Sequence, residues 1–244
     1  MSYLSVKNIV KTYKNEAVVQ QLSLELEKGK TLSVLGKSGC GKTTLLKIVA
    51  GLLDFDSGEI ELDGNSINEL EPAERGIVYL YQEPLLFPHL NVFENIAFGL
   101  RLRSLDKQEI EQRTIQMIGK LGLVDHSDKM PEQLSGGQRQ RVAFGRAIII
   151  NPAVLLLDEP FGNLDTEIRA QMQQFFMQLS EQFSITTLFV THDLKEALLV
   201  GDSMGLMEHG QLTCYQSKEA FVADVRTGAT NEISFWEQFN ENTD

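Results

Sequence analysis

The sequence predicts an α/β fold in which a mostly parallel central sheet is preceded by an antiparallel β subdomain and interrupted by an inserted helical subdomain. The parallel part is indicated by two short apolar segments, residues 153–157 and 185–190, that flank an amphipathic helical pattern at 166–183. Strands that alternate with helices in this way favour a parallel sheet. The antiparallel part is indicated by the β-rich segments 4–10 and 18–26 that open the sequence.

The remaining elements follow from turn residues and from changes of hydrophobic period. A third strand at residues 31–35 gives way to a helical pattern after Gly41. Further strands are predicted at 58–62 and 76–81, because each of these segments ends in turn-forming residues. Residues 91–150 have a helical pattern throughout, which we interpret as the insertion.

These patterns divide the chain into a core, an insertion and a tail. The core is expected over residues 1–85 and 151–215, the helical subdomain over about 86–150, and a short helical tail over 216–244. The tail is expected to pack through apolar residues at helical spacings. These are Phe221, Val222, Val225, Phe235, Trp236 and Phe239.

The composition is that of a globular protein and limits the classes of partner. The 244 residues carry a formal net charge of −12, which argues against binding that depends on neutralising nucleic-acid phosphates or an anionic lipid surface. No apolar stretch approaches the roughly 18 residues of a membrane-spanning helix. Because residues 1–6 lack signal-peptide features and Cys40 and Cys214 cannot build a disulfide framework, the cytoplasm is the expected compartment.

The strongest chemical motif is a glycine-rich loop at residues 36–43. It fits the pattern GxxxxGK[ST] between a strand that ends at Leu35 and a helix that begins near Lys42. Its glycines let backbone N–H groups surround phosphates, Lys42 reaches the β- and γ-phosphates, and the Thr43 hydroxyl ligates Mg²⁺. A glycine-rich turn without a ligand is the alternative. The candidate nucleotide-binding residues here are Gly36, Lys37, Ser38, Gly39, Cys40, Gly41, Lys42, Thr43 and Thr44.

Two carboxylates follow the buried strand at residues 153–157, at the strand end where ligands gather in parallel sheets. We assign Asp158 to Mg²⁺ and Glu159 to polarising the attacking water. Without the phosphate loop, an acidic loop after a buried strand would be the better interpretation.

A third motif, Leu134-Ser135-Gly136-Gly137-Gln138, has two compatible interpretations. Ser135 and Gln138 have the spacing of a capping box at the start of a helix. A capped helix N-terminus with a serine and two glycines is also a second surface able to bind phosphate.

With these motifs in this order, residues 3–215 resemble the ATP-binding subunits of ABC transporters, whose core is a P-loop NTPase of the RecA-like type. The resemblance implies an ATPase that uses ATP and Mg²⁺. It implies that Tyr13 stacks on adenine and that Gln82 touches Mg²⁺ and the attacking water. It also implies that Asp165 belongs to the nucleotide site and that His192 hydrogen-bonds the γ-phosphate. From the residues alone, a surface tyrosine, a loop glutamine, a helix cap and a structural histidine stay open as alternatives.

The resemblance also implies an assembly. Two chains would form a head-to-tail homodimer, with each ATP between one chain's phosphate loop and residues 135–138 of the other. Membrane permease subunits would contact residues 82–96, and an external solute-binding protein would belong to the same system. The chain would then lie at the cytoplasmic face of the membrane. The branch of importers that serves ferric iron, polyamines and inorganic oxyanions is the most similar.

Three details bear on this resemblance. The apolar residues between Pro84 and Pro88 and just beyond would be exposed for a partner, although packing inside the helical subdomain is an alternative; they are Leu85, Leu86, Phe87 and Leu90. Many members of that branch carry a regulatory β-domain at this point, and with about 30 residues after Tyr215 we do not expect one here. Ser203 stands where a basic residue is common, so a salt bridge to Asp202 is expected to be absent.

Two other functions compete with an importer ATPase. One is a soluble ABC-type switch acting on nucleic acid or ribosomes, which the net charge of −12 and the single cassette disfavour. The other is a P-loop kinase, which does not explain the motif at residues 134–138.

Overall fold

The computed structural model describes residues 2–14, 16–103, 105–232 and 234. In chain order the strands are β1 (Ser2–Tyr13), β2 (Glu16–Glu27), β3 (Thr31–Leu35), β4 (Ser57–Leu62), β5 (Asn65–Ser66), β6 (Ile77–Leu80), β7 (Val154–Asp158), β8 (Thr187–Thr191), β9 (Ser203–Glu208) and β10 (Gln211–Tyr215). The helices are α1 (Lys42–Val49), α2 (Val92–Arg101), α3 (Lys107–Lys120), α4 (Gly136–Ile148), α5 (Thr166–Phe183), α6 (Leu194–Val200) and α7 (Lys218–Ala223). Within those ranges no helix combines the length and the apolar character needed to cross a lipid bilayer.

The strands form two sheets, as the sequence predicts. The first is a four-stranded antiparallel sheet in the order β2-β1-β4-β5. The second has six strands in the order β10-β9-β3-β8-β7-β6, and all of its neighbouring pairs are parallel except β9 with β10. The predicted α/β fold class, with a mostly parallel sheet and a separate antiparallel one, is therefore confirmed.

The hairpin of β9 and β10 is an element that the sequence analysis did not assign. Its turn contains His209 and Gly210, both of which have positive φ angles, 47° and 78°. Two consecutive residues in that region are typical of the tight turns that join antiparallel strands. The histidine-glycine pair between two short apolar segments was the signal that could have revealed this hairpin.

Two apolar cores lie on opposite faces of the parallel sheet. Along β7, Val154 and Leu156 belong to a core shared with α1 and the antiparallel sheet. Leu155 and Leu157 belong to a second core shared with α2, α4 and α5. Because successive side chains of a strand point to opposite faces, a strand covered on both sides must be apolar at every position.

Helix α1 is fixed at its C-terminal end by a buried arginine. Arg75 Nη1 donates to the backbone carbonyls of Ile48 and Val49 at 3.1 and 3.2 Å. Its Nη2 and Nε donate to the carbonyls of Asn68 and Leu70 at 3.1 and 3.0 Å. Burial lowers the pKa of this guanidinium. A cation is favourable here because the carbonyl end of a helix carries partial negative charge.

The region after β8 departs from the sequence expectations at two points. Asp202 does have a basic partner, since Lys30 Nζ lies 3.4 Å from its Oδ1. The lysine comes from the turn before β3, which pairs with β9, so the salt bridge does not need a basic residue at position 203.

Of the predicted apolar contacts in the tail, Phe221 is buried, but Val225 is 80% exposed and that prediction is wrong. Residues 235, 236 and 239 lie outside the described part of the chain.

Replacing Arg75 by methionine should destabilise the protein by about 3 kcal/mol, because hydrogen bonds to a charged group contribute roughly 1.5–3 kcal/mol each and carbonyls would be left unpaired. Urea unfolding followed by circular dichroism measures the change. The control is Arg113→Met, which removes only a surface pair with Glu109 on α3 and should cost about 0.5 kcal/mol or less. Equal losses for the two variants would contradict this role for Arg75.

Candidate functional site

The phosphate loop joins the end of β3 to the start of α1, where the sequence analysis places it. Gly36 N donates to the carbonyl of Thr191 at 3.1 Å, which ties the loop to the end of β8. A Cβ atom at Gly36 would lie 2.6 Å from the carbonyl oxygen of Met207, and one at Gly41 would lie 2.8 Å from that of Val18. These two positions therefore admit only glycine, because backbone atoms cannot move aside.

A cavity of about 1020 Å³ adjoins this loop. Its walls include residues 36–40, His192 and the β9–β10 turn. Residues 226–228 close another side. Tyr13 is not among the residues that line it; the ring is 44% exposed and lies 5.4 Å from Lys11 Nζ. The structure thus does not bring Tyr13 into the cavity, and its contact with adenine stays a prediction.

Lys42 is buried, and its ammonium group is surrounded by oxygen atoms. Lys42 Nζ donates to the carbonyls of Gly36 and Lys37 at 2.6 and 3.1 Å. It also lies 3.5 Å from Glu159 Oε1. A buried cation needs such partners because an unpaired one would lose much of its solvation energy.

Glu159 occupies a position between Lys42 and His192. Its Oε2 lies 2.7 Å from His192 Nδ1. The backbone of Glu159 has a φ angle of 46°, which is uncommon for residues other than glycine and costs conformational energy. Its backbone N–H donates to the carbonyl of Val190 at 3.0 Å. The strained backbone at the end of β7 thereby directs the carboxylate toward the lysine and histidine.

Asp158 accepts two hydroxyl hydrogen bonds on the same oxygen. Thr43 Oγ1 donates to its Oδ2 at 2.8 Å and the Tyr79 hydroxyl donates to it at 2.7 Å. Burial and the neighbouring carboxylate raise the pKa of Tyr79. Tyr79 was not predicted, since nothing in the sequence distinguishes it from other residues of an apolar strand.

The oxygen donors here suit Mg²⁺, which prefers hard oxygen ligands and commonly takes only one or two protein ligands beside phosphates and water. The Thr43 hydroxyl and the Asp158 carboxylate lie together, as the hydrogen bond between them requires. Gln82 is exposed, and its amide lies 3.0 Å from where a Cβ at Gly162 would be. In the described part of the chain, no group of three or more His, Cys, Asp or Glu side chains is placed to hold a metal by itself.

The segment 134–138 forms the predicted capping box at the start of α4. Ser135 Oγ accepts from the N–H of Gln138 at 3.2 Å, and Gln138 Oε1 accepts from the N–H of Ser135 at 2.9 Å. Gln138 Nε2 also lies 2.8 Å from His126 Nε2, a contact that the sequence analysis missed. None of residues 135–138 lines the cavity beside the phosphate loop. Within one chain, these two motifs are therefore not brought together.

Asp165 caps helix α5 by accepting from the N–H of Ile168 at 3.0 Å. This is the structural role that the sequence analysis kept as an alternative. Gly136 and Gly137 face the same region, because a Cβ at Gly137 would lie 2.9 Å from Ile168 Cγ2 and one at Gly136 would lie 3.5 Å from Leu164 Cδ2.

A buried polar network near His192 was also missed. Glu196 accepts from Thr191 Oγ1 at 2.7 Å and from Gln173 Nε2 at 3.1 Å, and burial raises its pKa. Arg169 Nε lies 4.0 Å from the same carboxylate, while its Nη2 donates to the carbonyl of Leu164 at 3.0 Å. In sequence, Glu196 resembles a surface residue of a helix start, so no pattern indicated its burial.

Comparison with known proteins adds a family and several relatives. The family model described as ABC transporter matches residues 19–162. The spermidine/putrescine import ATP-binding protein PotA of Thermotoga maritima is 43% identical over 93% of this chain and 64% of its own length. The sn-glycerol-3-phosphate import ATP-binding protein UgpC of Cupriavidus pinatubonensis is 45% identical over 87% of this chain and 58% of its own. The chain thus spans about three fifths of these curated relatives.

Two solved structures are similar in fold. One is a dimeric, post-hydrolysis state of the ATP-binding cassette MJ0796 bound to ADP and Pi, with a TM-score of 0.74 and 30% identity. The match covers 86% of this chain and 96% of that one. The other is CbiO1 from Clostridium perfringens, part of the transporter complex CbiONQ, with a TM-score of 0.83 and 26% identity. That match covers 91% of both chains.

Replacing Gly137 by alanine should destabilise the protein by about 1–3 kcal/mol, because the new methyl group would overpack against Ile168. Gly136→Ala is the matched control, since its methyl group would meet Leu164 at an ordinary contact distance. The control should be neutral or slightly stabilising, as expected for alanine in a helix. Thermal and urea unfolding measure both changes, and a neutral Gly137→Ala would contradict the close approach of α4 and α5.

Proposed function

Since this chain belongs to the ABC transporter family, we propose that it binds and hydrolyses ATP and powers import through a membrane transporter. The observation that carries the proposal is the placement of the phosphate loop and Lys42 beside Asp158 and Glu159. The curated relatives PotA and UgpC are import ATP-binding proteins, which favours this function over a switch acting on nucleic acid.

The nucleotide would bind with its phosphates on the loop at residues 36–43. Backbone N–H groups at a helix N-terminus favour bound anions, and Lys42 would turn from the loop carbonyls toward the β- and γ-phosphates. Thr43, Asp158 and Gln82 would hold Mg²⁺. When bound, Mg²⁺ supplies neutralisation of the phosphate charge. The structure of the relative with ADP and Pi supports nucleotide binding by this fold.

Glu159 would orient and polarise the water that attacks the γ-phosphate. A carboxylate accepts a hydrogen bond from water and so increases its nucleophilic character. His192 would hydrogen-bond the γ-phosphate, which is supported by its place in the cavity lining and by the 2.7 Å contact of its Nδ1 with Glu159. Lys42 would stabilise charge on the phosphate oxygens as the bond to the leaving group breaks.

We also propose that two copies assemble head to tail, so that residues 135–138 of one chain cover the nucleotide of the other. This is supported by the separation of those residues from the cavity in one chain, and by the dimeric state of the relative bound to ADP and Pi. The N-terminus of α4 presents free N–H groups to an anion, which suits a γ-phosphate. Tyr13 and Asp165 would complete the site from the two chains.

The segment 82–96 is the proposed contact with membrane permease subunits at the cytoplasmic face. Its apolar residues divide into two groups. Leu86 packs against the core, and Phe87 lies 4.4 Å from Phe98 between ring centroids. Leu85 is 55% exposed, and its carbonyl accepts from Arg146 Nη2 at 2.6 Å. Leu85 is therefore a side chain held outward by a fixed backbone, as a docking contact requires.

The transported substance is proposed only as a class. PotA imports polyamines by its name and UgpC imports sn-glycerol-3-phosphate, and both are similar to this chain to nearly the same degree. We therefore propose a small charged solute, delivered by an external solute-binding protein.

Glu159→Gln should lower the rate of ATP hydrolysis by about 10²-fold or more while nucleotide binding persists, because the amide cannot polarise the water. Released phosphate and binding of a fluorescent ATP analogue measure the two effects. Lys42→Ala should lose both ATP hydrolysis and nucleotide binding. Glu111→Gln on the exposed side of α3 is the control and should retain the parent rate.

The same Glu159→Gln variant should dimerise when ATP is added, because the sandwiched nucleotide is no longer cleaved. Light scattering after size-exclusion chromatography measures the mass. A parent rate of hydrolysis in both Glu159→Gln and Lys42→Ala would show that the assigned site is wrong.

Leu85→Glu should leave the ATPase rate of the isolated chain unchanged and should abolish co-purification with the proposed membrane permease subunits. The charged side chain would have to be buried against an apolar partner without compensation. Val225→Glu is the control, because Val225 is even more exposed, at 80%, and lies after α7, outside the segment 82–96. If Leu85→Glu is retained by the permease as well as Val225→Glu, the proposed docking segment is wrong.

A further inference from the structure

A tyrosine on β6 contacts the carboxylate proposed for Mg²⁺ and has no role in the function described so far. The Tyr79 hydroxyl donates to Asp158 Oδ2 at 2.7 Å, the same oxygen to which Thr43 donates at 2.8 Å. Since an ionised carboxylate can only accept, both hydroxyl groups must direct their protons toward it.

The register of the sheet explains why the tyrosine reaches this oxygen. Tyr79 pairs with Leu156 across the parallel strands β6 and β7. Leu156 and Asp158 are two residues apart on β7, so their side chains lie on the same face of the sheet. Tyr79 packs with Leu156 in the core beneath α1, and Thr43 is in the first turn of α1. All three groups therefore converge on one face at the end of β7.

We propose that Tyr79 is a positioning residue that holds the Asp158 carboxylate in place for Mg²⁺ when a nucleotide is bound. This inference rests on the function proposed above and deepens it. Thr43 would hold the cation through its oxygen, so the position of its hydroxyl, and with it the hydrogen bond to Oδ2, would depend on the bound cation. The bond from Tyr79 persists, because its donor is on a different element and is not a ligand of the cation.

The surroundings of Tyr79 suit such a role. The ring is partly buried and lies 4.4 Å from the ring of Tyr81 between centroids, so it has little freedom to turn away. Hydrogen bonds from outside the ligand shell orient metal-binding carboxylates, and their loss commonly weakens metal binding about 10–100-fold. Removing the hydroxyl alone, with the ring retained, isolates this effect from packing.

The test compares Tyr79→Phe with the wild-type chain. Binding of the fluorescent nucleotide MANT-ADP is measured first with EDTA and then across a titration with Mg²⁺. Tyr79→Phe should require about tenfold more Mg²⁺ for half-maximal enhancement of binding, while the affinity in EDTA stays the same within about twofold. Direct titration with Mn²⁺ in the presence of ADP, followed by electron paramagnetic resonance, should show the same weakening.

Tyr81→Phe is the matched control, because it removes a hydroxyl from the neighbouring exposed ring, and it should follow the wild type. A second check uses Asp158→Ala, in which Tyr79→Phe should cause no further change because no side-chain oxygen remains at position 158 to accept the hydrogen bond. Melting temperatures identify a variant that is damaged as a whole.

Three results would overturn the inference. One is wild-type dependence on Mg²⁺ in Tyr79→Phe. Another is an equal loss of MANT-ADP binding with and without Mg²⁺, which would show a general role in structure. The third is an additional loss in the Asp158→Ala background. Failure of the wild-type chain to bind MANT-ADP under either condition would overturn the proposed function itself.

Discussion

Charge compensation at the carboxyl edge of the parallel sheet is the constraint on which the site depends. Strands β3, β8 and β7 are neighbours in the sheet, and they deliver the phosphate loop, His192 and the pair of carboxylates to one edge. The buried ammonium of Lys42 is acceptable there only because carbonyls and Glu159 surround it. The order of strands thus determines which charges meet, and the charges in turn restrict the conformation of the loop.

Sequence predicted the parts of the site that are local in the chain. The loop at 36–43, the capping box at 135–138 and the carboxylates after β7 each form within a few residues, so spacing alone indicates them. Contacts between strands that are far apart in the sequence leave no such pattern, and Tyr79 on β6 was missed for that reason because its partner Asp158 is on β7. The hairpin β9–β10 was missed because its strands are short and because Gly205 interrupts the apolar residues of β9.

The fold also links loops that the sequence treats separately. Arg169 binds the carbonyl of Leu164, which precedes the cap of α5, and its guanidinium lies near Asp193 and Glu196. Glu196 in turn holds Thr191, the residue before His192. A shift of the chain around Leu164 would therefore move Arg169 and, through Glu196 and Thr191, would change the position of His192. The loop that faces the proposed partner chain and the loop that carries the histidine are parts of one packed unit.

The oxygen atoms around Lys42 have a consequence for the proposed cycle of ATP binding and hydrolysis. An arriving triphosphate exchanges one set of ammonium partners for another, so the free energy of association is a difference between two satisfied states. That difference is smaller than the attraction of a bare cation for a polyanion would suggest. Release of the product nucleotide would likewise leave the Lys42 ammonium group with partners, because the loop carbonyls and Glu159 would surround it again.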